Sequence, residues 1–267
     1  MKSGFMSSVC PTQTLAELIQ TAETYGYQGL EFRVEWGHQH EVELDASATA
    51  RRLARQMLEE SGIAASCIAT GVKFSSPDPA DHEPQRETLR RYIELAADVG
   101  APYLRTFADP LPEDDPEARD RVLDLAAASY AAVDGWAQDA GVTMLVETHT
   151  NMKGQWAEAI LARAEAEHLE VLWHIGHHLR RGQSVDDAYR YIRGHVRHLH
   201  FTAREEDEYV RDVDNHRCFN LLAGDGFEGF FSVEIINPDD PDAVLSHHIA
   251  KFNQFVQGLE PARLDHE

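Results

Sequence analysis

The chain alternates short apolar runs with longer stretches whose apolar residues recur at helical spacing. Runs at 5–9, 30–34, 64–70, 103–107, 143–148, 171–174, 196–201 and 230–235 read as strands: each is brief and bounded by Gly, Pro or polar clusters. Helical stretches fill the gaps at 12–22, 46–60, 86–99, 117–140, 155–167 and 242–257, with a short, weak one at 218–222. Ser184 caps one more, through Ile192. Gly62, Gly100 and Gly141 stand where three of these helices must stop. Eight strands alternating with eight helical segments predict one α/β domain over residues 1–267, a (β/α)8 TIM barrel. A doubly wound open sheet is the rival, and the lack of a glycine-rich phosphate turn after any strand counts against it.

The polar residues that interrupt this pattern fall at strand ends. In Val-Leu-Trp-His-Ile-Gly-His-His, residues 171–178, an apolar run stops at His174. Residues 143–148 end near Glu147, residues 196–201 near His200, and residues 230–235 place Glu234 near their end. Side-chain alternation puts each polar residue on one face and Met144 and Val146, Leu199 and Phe201, or Phe231, Val233 and Ile235 on the other. Residues 30–34 alternate too, with Glu31 and Arg33 opposite Leu30, Phe32 and Val34. Since barrels carry their chemistry at the C-terminal ends of strands, Glu147, His174, His200 and Glu234 form one expected ring.

Composition narrows the partners. Lys and Arg number 24 against 46 Asp and Glu, a net charge of −22, which repels nucleic acid and anionic membranes; no basic patch offsets it. Cys10, Cys67 and Cys218 are odd in number, far apart and in no CxxC pair, so a reducing compartment is expected. With no apolar leader and no run of membrane-spanning length, the chain reads as cytoplasmic. A homo-oligomer stays open.

Two carboxylates and two imidazoles converging on one pocket are costly to bury without a counter-charge. A divalent cation supplies it, and the mixed N/O set suits Zn, Mn, Fe or Co better than Mg or Ca, with Zn or Mn favoured. Taken singly, each residue has a plainer reading: Glu147 or Glu234 as a partner of Arg105 or Arg33, and His200 as a hydrogen-bonded core histidine. The coincidence on four consecutive strands favours the metal.

These motifs resemble the xylose isomerase-like TIM-barrel superfamily of sugar isomerases and epimerases, which includes tagatose and psicose epimerases, inosose dehydratases and hydroxypyruvate isomerases. The matching residues are Glu147 of VETH, His174-Ile-Gly-His177 where the family has Asp-x-x-His, His200 of HLHF and Glu234 of SVEI. The resemblance implies that Glu147, His174, His200 and Glu234 hold one divalent metal. It also implies that the two glutamates move protons and that His177 contacts substrate oxygens. Two positions depart from the family: His174 replaces the usual Asp, and the strand-seven Lys-Asp is missing, which leaves Arg204 to supply a positive contact.

Around this ring, Trp36, Phe74 and Phe107 are expected as pocket walls, and Lys73 and Arg105 as anion contacts or as partners of Glu31 or Glu147. His149 is balanced between supporting the ring and lying in a loop. His38, His40, His82, His247 and His248 are expected at the surface. The resemblance implies a metal-dependent isomerase or epimerase that abstracts a proton beside the carbonyl of a ketose, keto acid or inosose. The alternatives are an inosose-type dehydratase and a metal-free, sugar-binding barrel. An endonuclease of the same fold is disfavoured by the acidity.

Overall fold

The computed structural model describes residues 1–204 and 207–259. Eight parallel strands close into a barrel in sequence order: β1 (Lys2–Met6), β2 (Gly29–Arg33), β3 (Ala64–Lys73), β4 (Tyr103–Phe107), β5 (Thr143–Glu147), β6 (Leu169–His174), β7 (Val196–Phe201) and β8 (Phe230–Val233). β8 pairs back onto β1 from Lys2↔Phe230 to Phe5↔Val233, which leaves no free edge. The (β/α)8 expectation is met.

Around the barrel run α1 (Leu15–Tyr25), α2 (Ala48–Ser61), α3 (His82–Val99), α4 (Pro116–Ala140), α5 (Gly154–Ala164), α6 (Ile175–Arg180), α7 (Val185–Ile192), α8 (Asp212–Gly224) and α9 (Pro241–Gln257). Ser184 caps α7, accepting from the Asp187 N–H, and Gly62, Gly100 and Gly141 end α2, α3 and α4 in the left-handed conformation. No described helix is long and apolar enough to cross a membrane.

Among the boundaries that differ from the sequence reading are those of β1, α8 and α6. β1 begins at Lys2, and Ser7–Val9 forms a single 3-10 turn instead of strand. Helix α8 is 13 residues long, not a short segment at 218–222, because its first turns are polar and only Cys218, Phe219 and Leu222 give it a buried apolar face. An extra helix, α6, starts directly after His174.

Strand alternation sorts the core into two regions. Trp173, Phe201 and Phe231 face outward under the helices, where Phe219 packs on Phe231 with ring centroids 4.0 Å apart. Burying each of these rings contributes roughly 1.5–3 kcal/mol. The opposite face of the strands looks into the barrel and is partly polar, with Glu31, Glu147, His198, His200 and Ser232 all buried. At the base the Phe230 ring fills the space over Gly29, where any Cβ would collide with it. The apolar outer layer holds the barrel closed, so the interior is free to carry charge.

Candidate active site and metal centre

The ladder places the polar strand ends. β6 and β7 pair His174 with His200, and β7 pairs His200 with Ser232 of β8. Glu234 lies two residues beyond Ser232, on the same face and just past the last residue of β8. Glu147 closes β5. Gly176 follows His174 closely, and a Cβ there would stand 3.0 Å from the His174 ring, so a larger residue would press on that ring.

Four side-chain atoms converge. His200 Nδ1 lies 3.2 Å from Glu147 Oε1 and 3.1 Å from Glu234 Oε2, and His174 Nε2 lies 3.2 Å from the same Glu234 oxygen. One ligand atom from each of the four residues lies within 4.8 Å of every other. A first-row ion bonded at about 2.0–2.2 Å needs donor–donor edges of about 3–3.5 Å. The short edges meet that requirement, and two carboxylates with two imidazoles are a suitable donor set for such an ion.

A second layer lies beneath. Glu31, fully buried on β2, accepts from His200 Nε2 at 2.9 Å through Oε1 and from His198 Nε2 at 2.9 Å through Oε2. With Nε2 donating to Glu31, the His200 ring is fixed so that Nδ1 faces Glu147 and Glu234. A carboxylate behind a metal-binding imidazole is a recurring way to set its tautomer. Glu31, His198 and His200 also form a compact group of donors, but both oxygens of Glu31 are taken by the two rings.

Arg105, buried on β4, donates to Glu147 Oε2 at 3.1 Å and to the Thr70 carbonyl, and lies 3.9 Å from Glu234 Oε1. It is therefore Arg105, not Arg33, that pairs with Glu147. Burial alone would push the Glu147 carboxyl up; the His200 charge, then the Arg105 charge, outweigh it and hold that carboxyl low. Glu234 and Glu31 are likewise pushed up by burial but held well below the usual range, chiefly by His200. Burial lowers the His200 imidazole, and the charges of Glu234, Glu31 and Glu147 reverse this to hold it well above its ordinary value. The metal-free cluster thus holds ionised carboxylates around the His200 imidazolium.

At the pocket side, the His177 ring lies 4.1 Å from that of His174 and 4.6 Å from that of His149. His177 is neutral, with burial and then His174 pushing it down to about 3. His149 Nδ1 donates to buried Asp109 Oδ2 at 2.9 Å; this bond and nearby carboxylates outweigh burial and raise His149. Phe107 packs on the Arg105 guanidinium and the His149 ring.

Residues 19–255 match the xylose isomerase-like TIM barrel family. The chain belongs to that family. No curated protein matches it in sequence. Among solved structures, an L-ribulose 3-epimerase is similar in fold, with TM-score 0.78 and 16% identity over 96% of this chain and 95% of that one. So is a D-psicose 3-epimerase, with TM-score 0.75 and 14% identity over 97% and 100%. A probable 3-DHS dehydratase from Bacillus anthracis aligns with TM-score 0.74 and 17% identity over 95% and 99%.

Several expected contacts take other places in this family member. Arg204 is exposed and lines a cavity of about 510 Å³ with Ile235, Asp239 and His247, which includes none of the four donors. Trp36 is 64% exposed beneath the Arg33 guanidinium, and Lys73 is exposed 5.8 Å from the Phe107 ring. Phe74 is no pocket wall: it is fully buried between His82 and Tyr130. Nor are His40, His82 and His248 at the surface, since each is buried with hydrogen bonds such as His82 Nδ1 to Ser129 Oγ at 2.7 Å. His178 is structural, accepting from Trp173 Nε1 and donating to the Gln183 carbonyl.

Proposed function

We propose that this chain is a metal-dependent isomerase or epimerase of its family, moving a proton beside the carbonyl of a small polyhydroxylated substrate. The observation that carries this reading is the convergence of Glu147, His174, His200 and Glu234 at the closed barrel's C-terminal mouth, with three donor pairs at 3.1–3.2 Å and all four donors within 4.8 Å of one another. Those four residues would hold a divalent ion, Zn or Mn. Such an ion supplies Lewis-acid stabilisation of negative charge developing on the substrate carbonyl oxygen.

The chain's own residues divide the remaining work unequally. Glu147 is fully buried and gives Oε2 to Arg105, whose fixed charge weakens it as a base. Glu234 is the more exposed of the two, and among the described residues its Oε1 has only the Arg105 contact at 3.9 Å. Glu234 therefore takes the proton, and Glu147, which must enter the step already carrying a proton, delivers one from across the site, leaving Glu234 protonated and Glu147 ionised until proton exchange resets the pair. Return to the opposite face of the same carbon is epimerisation; return to the adjacent carbon is isomerisation. His177, neutral above the site, accepts or donates a hydrogen bond to substrate oxygens.

The His149–Asp109 pair favours a second reading, dehydration. An imidazole raised by its carboxylate partner and half-exposed beside Phe107 is placed to protonate a departing hydroxyl.

Deuterium wash-in tests the primary reading. Protein loaded with Zn or Mn is incubated in heavy water with a panel of ketoses and 2-keto acids. Solvent deuterium should enter a carbon beside the carbonyl with loaded protein and not with stripped protein. Incorporation that ignores metal loading, or none across the panel, contradicts the proposal.

A further inference from the structure

Among the described residues, Arg33 near the mouth makes no ion pair. Arg33 ends β2 on the face that also carries Glu31, two residues closer to the mouth. Its guanidinium stacks 4.1 Å from the Trp36 ring, and among the described residues no carboxylate comes within ion-pair distance of it. Most other half-buried arginines do find one: Arg51 pairs with Asp98, Arg86 with Glu83, Arg90 with Glu87 and Glu94, and Arg197 with Glu170, while Arg119, over the Trp156 ring, donates instead to the Pro112 and Glu113 carbonyls. Burial and then Arg105 act to strip the Arg33 proton, while the fields of Glu234 and Glu147 oppose them, so Arg33 stands within electrostatic reach of the site.

Charge at the mouth points the same way. Glu147 and Glu234 are balanced by Arg105 and Arg33, so a divalent ion leaves two positive charges, or one once Glu31 beneath is counted. An aspartate at 174 would have removed one more. A neutral sugar leaves that excess facing a half-buried guanidinium; an anionic one cancels it. A guanidinium 4.1 Å from an indole ring spends none of its N–H donors on that ring, and its planar fork can bind a carboxylate in two places.

We infer that the substrate is a sugar acid, a hydroxylated carbonyl compound bearing a carboxylate that Arg33 binds. This deepens the proton-transfer reading, on which it rests, by choosing among its substrates.

The test is calorimetric titration of the metal-loaded protein with D-fructose and with two carboxylate counterparts, 2-keto-D-gluconate and D-fructuronate. At least one acid should bind roughly 10- to 100-fold tighter than D-fructose, the worth of one charge-assisted hydrogen bond. Arg33→Leu should erase that advantage and leave D-fructose affinity unchanged, whereas Arg33→Lys should keep part of it. Unchanged thermal melting of both variants shows that the fold is intact. The inference is overturned if neither acid outbinds D-fructose, or if the advantage survives in Arg33→Leu. Metal content of the same samples separates the two failures: wild-type protein that takes up no ion breaks the proton-transfer reading, whatever Arg33 does.

Discussion

The two sides of the barrel mouth are built from opposite materials. On β5 to β8 the strand ends carry Glu147, His174, His200 and Glu234, whose oxygens and nitrogens all point lone pairs at one place once His200 gives up its Nδ1 proton. The other side carries Arg33 at the end of β2 and Arg105 in the middle of β4, each guanidinium close to an aromatic ring, Trp36 at 4.1 Å and Phe107 at 4.2 Å. One side suits a cation and the other suits an anion. Arg105 joins them through Glu147, so a change on either side is felt on the other. A carbonyl compound that chelates an ion at one end and carries negative charge at the other fits across both.

Four changes should break or sharpen that contrast. The largest effect is expected from Glu234→Gln, which keeps the shape but removes the base: deuterium exchange should drop about 1000-fold while Arg33-dependent acid binding persists. A loss of less than about tenfold, measured by NMR of the exchanged substrate, would move the base elsewhere. His174→Ala comes next. Removing a ligand should weaken Zn or Mn binding about 100-fold in a chelator competition, the worth of roughly 3 kcal/mol, and His174→Asp should retain the ion with a preference shifted toward Mn. Unchanged affinity in the alanine variant would show that His174 is not a ligand.

Glu31→Gln should weaken the metal by roughly 10- to 100-fold, because a glutamine has one carbonyl oxygen for two imidazole donors and one ring must turn or change tautomer. Cadmium-113 NMR reads this directly: coupling to His200 Nδ1 should be present in the wild type and reduced or lost in the variant, and identical spectra would remove Glu31 from the account. The smallest effect per step is in pH. The metal-free His200 is protonated above its ordinary range, so an ion must displace that proton. Affinity should therefore rise about tenfold per pH unit between roughly pH 6 and 8 and fall away on acidification. A flat profile would mean that His200 stays protonated in the loaded protein.

Much of this was legible in the sequence, for physical reasons. The four donors stood out because each ended an apolar run at inward parity, and strand parity survives errors of a residue or two at element boundaries. β4 and β7 have the expected bounds, whereas β1 starts three residues earlier. The second layer was harder to see. Glu31 and Arg33 were visible on one face of β2, and His198 sits two residues before His200, but their contacts join strands that are far apart in sequence. Glu31 and His200 are separated by 169 positions, and only closure of the barrel brings them together. His40, His82 and His248 misled for a related reason: loop and helix histidines carry no periodic signal of burial, and a partner such as Ser129, 47 positions from His82, meets its histidine only in the fold. Helix α8 was underestimated because acids at its first turn, favourable against the helix dipole, look in sequence like a solvated loop.

The central claim is that the four strand-end donors take one ion in common. Anomalous diffraction from crystals grown with Zn or Mn tests it most directly. The account predicts a single strong peak bonded to Glu147 Oε1, Glu234 Oε2, His174 Nε2 and His200 Nδ1. A peak bonded to other residues, or a mouth without one at saturating metal, would contradict it.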